Sequence, residues 1–235
     1  MRRAVVAAVV VCVGVIALAA LGGYRLMNSR TVQIAGELTA RVETDARVVA
    51  LTLDDGPTCA DLDRVLDSVA GVRATFYVNG GEMARCPEAA PRLLAAGHEL
   101  GNHTWSHRAM VAVSPAIVED EVASTDAALR EAGVEGEITF RPPFGKKLVV
   151  LPWWLERHDR HTIMWDVAVE TWGDEPQTSG DVVASTVEQV RPGSIVLLHP
   201  WGGRTEVQQA LPLIIDDLTD QGYEFVTVSE LLSLR

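Results

Sequence analysis

The chain has 235 residues, 48% of them hydrophobic and 22% charged, and no long polar or Pro/Gly/Ser-rich linker divides it, so one domain is expected. Its formal net charge is −12. No stretch gathers the basic residues into a patch that could neutralise phosphates, which excludes nucleic acid as a partner.

Behind Arg2 and Arg3, the run from Ala4 to Leu21 carries no charge and approaches the roughly 20 residues that cross a bilayer as a helix. The arginines belong on the cytoplasmic side, which places the remainder of the chain outside. Residues 1–23 therefore read as a membrane anchor or uncleaved signal, single-pass, with the rest extracytoplasmic. Ala17 and Ala19 also offer a small-x-small cleavage site, and cleavage there would leave a secreted protein. From Gly22 to Ala46 the composition is mixed, without a sustained period, so a stalk is expected over 24–46, ahead of a domain over 47–235. Oligomeric state leaves no signal.

Short β-branched or apolar runs follow at Val48 to Leu53, Thr75 to Val78, His98 to Gly101, Ile138 to Arg141, Thr162 to Val167, Ser194 to Leu198 and Glu224 to Thr227. Helical patterns lie between them, at Ala60 to Ala70, Glu82 to Ala96, Pro115 to Ala132, Asp181 to Val190 and Val207 to Gln221. Strand and helix alternate, which implies parallel strands with helical crossovers, in an open sheet or a (β/α) barrel. In both, functional groups gather at the carboxyl ends of the strands. Cys12 falls in the membrane segment. Cys59 and Cys86 follow the first two of these strands, in a compartment that permits disulfides, so a bridge between them is expected.

The polar clusters sit at the strand ends. Asp54 and Asp55 are adjacent there, so that one carboxylate can bind a cation while its neighbour stays free as a base; taken alone, Asp-Asp-Gly-Pro is also an ordinary turn. His103 and His107 have the i, i+4 spacing that brings two imidazoles to one side of a helical turn and so to one metal ion. With one carboxylate they make three protein ligands and leave a position for water, whose pKa zinc or a similar ion lowers toward about 7. Arg141 closes another strand and can hold a base carboxylate by a bidentate pair. After Pro142 and Pro143, Phe144 is the first residue with a backbone N–H to offer an oxyanion. His199 ends the strand Ser194 to Leu198, where it can protonate a leaving amine.

The order and content of these segments resemble the polysaccharide deacetylases of the NodB-homology, carbohydrate esterase family 4 group. Thr52 to Pro57 is similar to that family's first motif, His103 to His107 to its second, Arg141 to Gly145 to its third and Leu197 to His199 to its fifth. The resemblance implies a distorted (β/α) barrel, preceded here by the N-terminal helix. It also implies a divalent metal, zinc or alternatively cobalt, on Asp55, His103 and His107. Asp54 becomes the general base, Arg141 its tether, the Phe144 amide the oxyanion donor and His199 the general acid. Phe144 stands where the family often has tyrosine. Trp165 to Trp172 resembles the fourth motif, W-D-x-D-x-x-D-W, except that Ala168 and Thr171 replace its second and third aspartates. The carboxylate that orients the acid histidine is thereby lost, and Glu170 and Asp174 are the nearest substitutes. Of the six tryptophans, Trp105, Trp172 and Trp201 lie close to the motifs, where flat rings can stack on sugars. The implied function is removal of N-acetyl groups from an amino-sugar polysaccharide of the cell envelope: peptidoglycan, chitin-like or poly-N-acetylglucosamine. The alternatives are an O-acetyl esterase acting on a wall glycan and a catalytically weak glycan-binding descendant.

Overall fold

The computed structural model describes residues 2–170 and 177–235. The chain begins with α1 (Arg2–Met27), whose Val9–Met27 portion has a mean hydropathy of 2.1 and includes no buried residue. After the two-residue strand β1 (Leu38–Thr39), strands and helices alternate: β2 (Val48–Gly56), α2 (Leu62–Ser68), β3 (Thr75–Val78), α3 (Gly80–Arg85), α4 (Ala89–Ala95), β4 (Glu99–Asn102), α5 (Pro115–Glu131) and α6 (Val150–Arg157). They continue through β5 (Thr162–Ile163), α7 (Ser179–Gln189), β6 (Ser194–Leu198), α8 (Thr205–Asp220), β7 (Glu224–Phe225) and α9 (Val228–Leu232).

β2 is the axis of the sheet. It pairs with β6 along one edge over Val49–Leu53, and with β7 and then β3 along the other, all parallel. β3 pairs with β4, and from there the ladder continues through single parallel bridges, Asn102 to Phe140 and Phe140 to Thr162. The segment running on from β5 returns to β6 through Val167 and Val196. The pairings of this α/β fold therefore run round in a ring, regular along β4–β3–β2–β6 and reduced to bridges on the far side.

The two-residue period of a strand sorts the side chains into two cores. Val49, Leu51 and Leu53 of β2 pack outward against helix residues such as Leu62, Val65, Leu211 and Ile214. Val48 and Ala50 face inward, with Tyr77, Ile163, Ile195 and Leu197. Because both faces are covered, β2 reads as an almost continuous apolar run instead of an alternating one. The helices begin where capping chemistry puts them. Ser114 caps α5 ahead of Pro115, and a Thr178–Asp181 capping box starts α7 at Ser179, two residues before its expected start.

Several expectations differ from what is found. The helix expected over Glu82 to Ala96 is two helices, because Pro87 has no N–H to continue α3 beyond Cys86. The strand expected at Ile138 to Arg141 makes only the bridges of Phe140. The segment expected as a stalk packs on the domain: β1 pairs with β5, Val42 is 2% exposed, and the Val42 N–H donates to the Gly193 carbonyl. The expected disulfide joins Cys59 to Cys86, with Cα atoms 5.4 Å apart, and ties the loop after β2 to the end of α3.

Candidate metal centre and catalytic cleft

By strand parity Asp54 points inward with Ala50 and Thr52, and Asp55 should point the opposite way. It does not, because the register of β2 against β3 shifts between Asp54 and Gly56 and Asp55 adopts φ 73°. This bulge turns the second carboxylate back to the same cleft as the first. Positive φ at non-glycine residues recurs around that cleft, at Thr104 (68°), His107 (56°) and Phe144 (58°). Such conformations cost free energy and persist only where surrounding contacts hold them, and they cluster at functional sites.

Asp55 Oδ1 lies 3.3 Å from His103 Nε2 and 2.9 Å from His107 Nε2, and the three ligand atoms all fall within 4.8 Å of one another. The histidines do not share the expected helical turn. His103 follows β4 and His107 sits in an irregular loop, brought round by the positive φ at Thr104 and by Asn102 Oδ1, which accepts the Thr104 N–H at 2.8 Å. Glu121 of α5 fixes the same loop by accepting from the Ser106 N–H and Oγ. His103 Nδ1 lies 2.7 Å from the Arg141 carbonyl, an acceptor only, so Nδ1 carries a proton and it is Nε2 that faces Asp55 and the cleft. Among the described residues no donor of suitable hydrogen-bond geometry is aimed at the buried Asp55 Oδ1. Burial pushes the Asp55 carboxyl up, but the close His103 and His107 rings outweigh it and hold the carboxyl well below its usual range. One carboxylate and two imidazoles whose ligand atoms converge in this way make a donor set that suits a divalent cation such as zinc.

Asp54, whose side chain is 2% exposed, accepts from Arg141 Nη1 at 2.7 Å. The pair is not bidentate. Nη1 also donates to Thr52 Oγ1, while Nε and Nη2 are spent on the Ile163 and Met164 carbonyls, with the guanidinium 4.2 Å above the Tyr77 ring. One fully buried arginine thus holds Asp54 with its side chain and orients His103 with its carbonyl. Phe144 follows Pro142 and Pro143 and is 60% exposed, its ring 4.6 Å from that of His107. Gly145 packs under Trp165, where an added Cβ would lie 2.8 Å from the indole.

His199 enters from the end of β6. Its Nε2 lies 3.8 Å from Asp55 Oδ2, and its Nδ1 lies 2.6 Å from Glu170 Oε2. Burial alone would lower the imidazole pKa, but the Glu170 hydrogen bond and charge outweigh it and raise it above the usual value. The Glu170 side chain is only 3% exposed and is itself braced by Arg204 Nη2 at 3.2 Å. Asp166 of the same motif is structural, accepting from the Ile195 N–H and Ser194 Oγ. Thr171, Trp172 and Asp174 lie outside the described residues.

The expected site residues are therefore brought together: Asp54, Asp55, His103, His107, Phe144 and His199 line one cleft of about 710 Å³, with Arg141 directly behind Asp54. Motif reading did not single out Asp61, which ties the loops after β2 and β6 together. It accepts from Thr58 Oγ1, Gln208 Nε2 and the Gly202 and Gly203 N–H groups. Its one sequence signal is its position just beyond the aspartate pair. Trp201 is core and not a sugar platform: it is 5% exposed and packs so tightly on Gly56 that a Cβ there would meet the indole at 2.2 Å. Trp105 is 37% exposed and packs over Gly80.

The family model described as polysaccharide deacetylase matches residues 41–159. The chain is 31% identical over 218 residues to a peptidoglycan-N-acetylglucosamine deacetylase of Bacillus cereus, covering 89% of this chain and 100% of that protein. It is 33% identical over 196 residues to the peptidoglycan-N-acetylmuramic acid deacetylase PdaC of Bacillus subtilis, covering 83% of this chain but only 40% of PdaC. The solved structure of PdaC superposes with a TM-score of 0.72 over 82% of this chain and 93% of that one, at 33% identity. A CE4 family pseudoenzyme from Bacillus anthracis is also similar, with a TM-score of 0.74 at 26% identity, over 83% of this chain and 68% of that one.

Proposed function

Since the chain belongs to the polysaccharide deacetylase family, we propose that it hydrolyses N-acetyl groups on an amino-sugar polysaccharide of the cell envelope, with peptidoglycan as the substrate suggested by its relatives. The observation that carries this reading is the convergence of Asp55, His103 and His107 beside an arginine-held Asp54 and a carboxylate-held His199, in one open cleft. It favours a working enzyme over a glycan-binding descendant.

In this reading Asp55, His103 and His107 hold a divalent ion, zinc or cobalt. Such an ion supplies Lewis acidity toward the acetyl carbonyl and makes water nucleophilic at neutral pH. Asp54, held in place by the buried Arg141 guanidinium, takes the proton from the attacking water. The Phe144 N–H, held at positive φ behind two prolines, donates to the oxyanion. His199, charged with the help of Glu170, delivers a proton to the departing nitrogen as the C–N bond breaks. Acetate and a free amine result. The α1 helix anchors the domain to the outer face of the membrane, with residues 1–23 in or near the bilayer and the catalytic domain extending to Arg235.

Acetate release from acetylated peptidoglycan, chito-oligosaccharide, poly-N-acetylglucosamine and acetylated xylan, with and without added zinc, tests the proposal. Zinc-stimulated release from the N-acetylated glycans is expected. Release from xylan alone would make the enzyme an O-acetyl esterase, and release from none would leave a binding protein.

A further inference from the structure

The segment that joins α1 to the domain contributes to the cleft wall. Arg30, three residues beyond the helix, lines the same cavity as Asp54, Asp55, His103 and His199. It is held there by Lys147, a residue only 1% exposed, whose backbone N–H donates to the Met27 carbonyl and whose Nζ donates to the Ser29 carbonyl at 2.5 Å. Burying an ammonium is costly, and burial pushes the Lys147 pKa down to about 8. Ser29 Oγ in turn accepts the N–H groups of Thr31 and Val32. The backbone before Arg30 is thus tied to Lys147, and a local turn on Ser29 fixes the residues after it.

The Arg30 guanidinium lies 5.0 Å above the Trp165 ring. A guanidinium held over an aromatic face spends none of its N–H groups on the ring, and its planar fork matches a carboxylate. Arg141, behind the cleft, is committed to Asp54, and Arg204 to Glu170 and Glu206. Among the described residues Arg30 makes no ion pair. An exposed, pre-positioned cation in the wall of a cleft whose carboxylates are engaged by other groups is a binding group for an anion carried by the substrate.

We infer that Arg30 recognises a carboxylate on the glycan, borne either by the acetamido sugar or by the sugar beside it, so that the segment after α1 selects acidic over neutral polysaccharide. This rests on the deacetylase reading for its substrate class, though the binding test below does not depend on turnover.

The test compares full-length protein with Arg30→Ala and Arg30→Lys on three oligosaccharides of matched length. One is a neutral N-acetylglucosamine oligomer, one alternates N-acetylglucosamine with N-acetylmuramic acid bearing free lactyl carboxylates, and one alternates N-acetylglucosamine with glucuronic acid. Binding is measured by titration calorimetry and turnover by acetate release. Loss of a charge-assisted hydrogen bond at a partly exposed site should lower the acidic-to-neutral ratio of affinities, and of kcat/KM, about 10-fold in Arg30→Ala. Arg30→Lys should recover part of it, because the charge remains but the fork is lost. Which acidic oligomer shows the loss identifies the sugar that bears the carboxylate. An unchanged ratio for both acidic oligomers overturns the inference, whatever the turnover. A ratio that falls in calorimetry while no acetate is released from any glycan upholds Arg30 and overturns the deacetylase reading instead.

Discussion

In the proposed mechanism Glu170 takes the role that the altered fourth motif leaves open, and replacing it with glutamine should separate proton delivery from the rest of the site. The substitution keeps size and one acceptor but removes the charge 2.6 Å from His199 Nδ1. A hydrogen bond to a charged group contributes about 1.5–3 kcal/mol, and at about 1.4 kcal/mol per tenfold the rate should fall roughly 10- to 150-fold. The pH dependence follows from the sign of the His199 shift. Glu170 raises that pKa, the acid form is present below it, and activity is lost as pH rises through it. Removing the charge lowers the pKa, so the alkaline limb of the kcat profile should move to lower pH while the acidic limb, which reports the base, stays in place. Glu170 is not among the ligand atoms grouped around Asp55, so metal content by elemental analysis should be unchanged. Profiles of wild type and Glu170→Gln on one N-acetylated oligosaccharide are the assay. If the variant keeps the wild-type rate and alkaline limb, Glu170 does not support His199 and the reasoning fails.

Asp54→Asn should retain the metal yet lose about 10²- to 10⁴-fold in rate; equal loss of metal and activity would make Asp54 a ligand. The variant should also melt earlier, since Arg141 is left buried without its counter-charge. His107→Ala should release the metal, and a purified variant still carrying one tightly held divalent ion with full activity would refute the assignment. Reducing the Cys59–Cys86 bridge, or replacing both with serine, removes a cross-link between residues 27 apart. Chain entropy makes this cost about 3–4 kcal/mol, read as a lower midpoint in thermal unfolding; an unshifted midpoint would show that the bridge does not constrain the unfolded chain.

The sequence by itself determined the order of elements and the residue types of the site. β2, β3 and β6 are legible because a strand buried on both faces must be almost wholly apolar over a short length, and α5 because its cap and period agree. The short helices α6 and α9 were not legible, since a turn or two of helix offers too few residues to show a period. The segment between α1 and β2 was missed for a related reason: its hold on the domain comes from a two-residue strand, a single buried valine and backbone carbonyls, none of which leaves a pattern. Chemistry-bearing residues were recognised as types at strand ends, but their meeting was not decided there. Adjacent residues on a strand point to opposite faces, so Asp54 and Asp55 serve one cleft only because a register shift and a positive φ turn Asp55 back. The i, i+4 spacing of His103 and His107 suggested a helical turn, whereas a loop held by Asn102 and Glu121 brings them together. Glu170 reaches His199, and Arg30 reaches the cleft, across separations of 29 residues and more. Those contacts exist because the fold brings its strand ends to one face, which is a property of the packed chain and not of any segment in it.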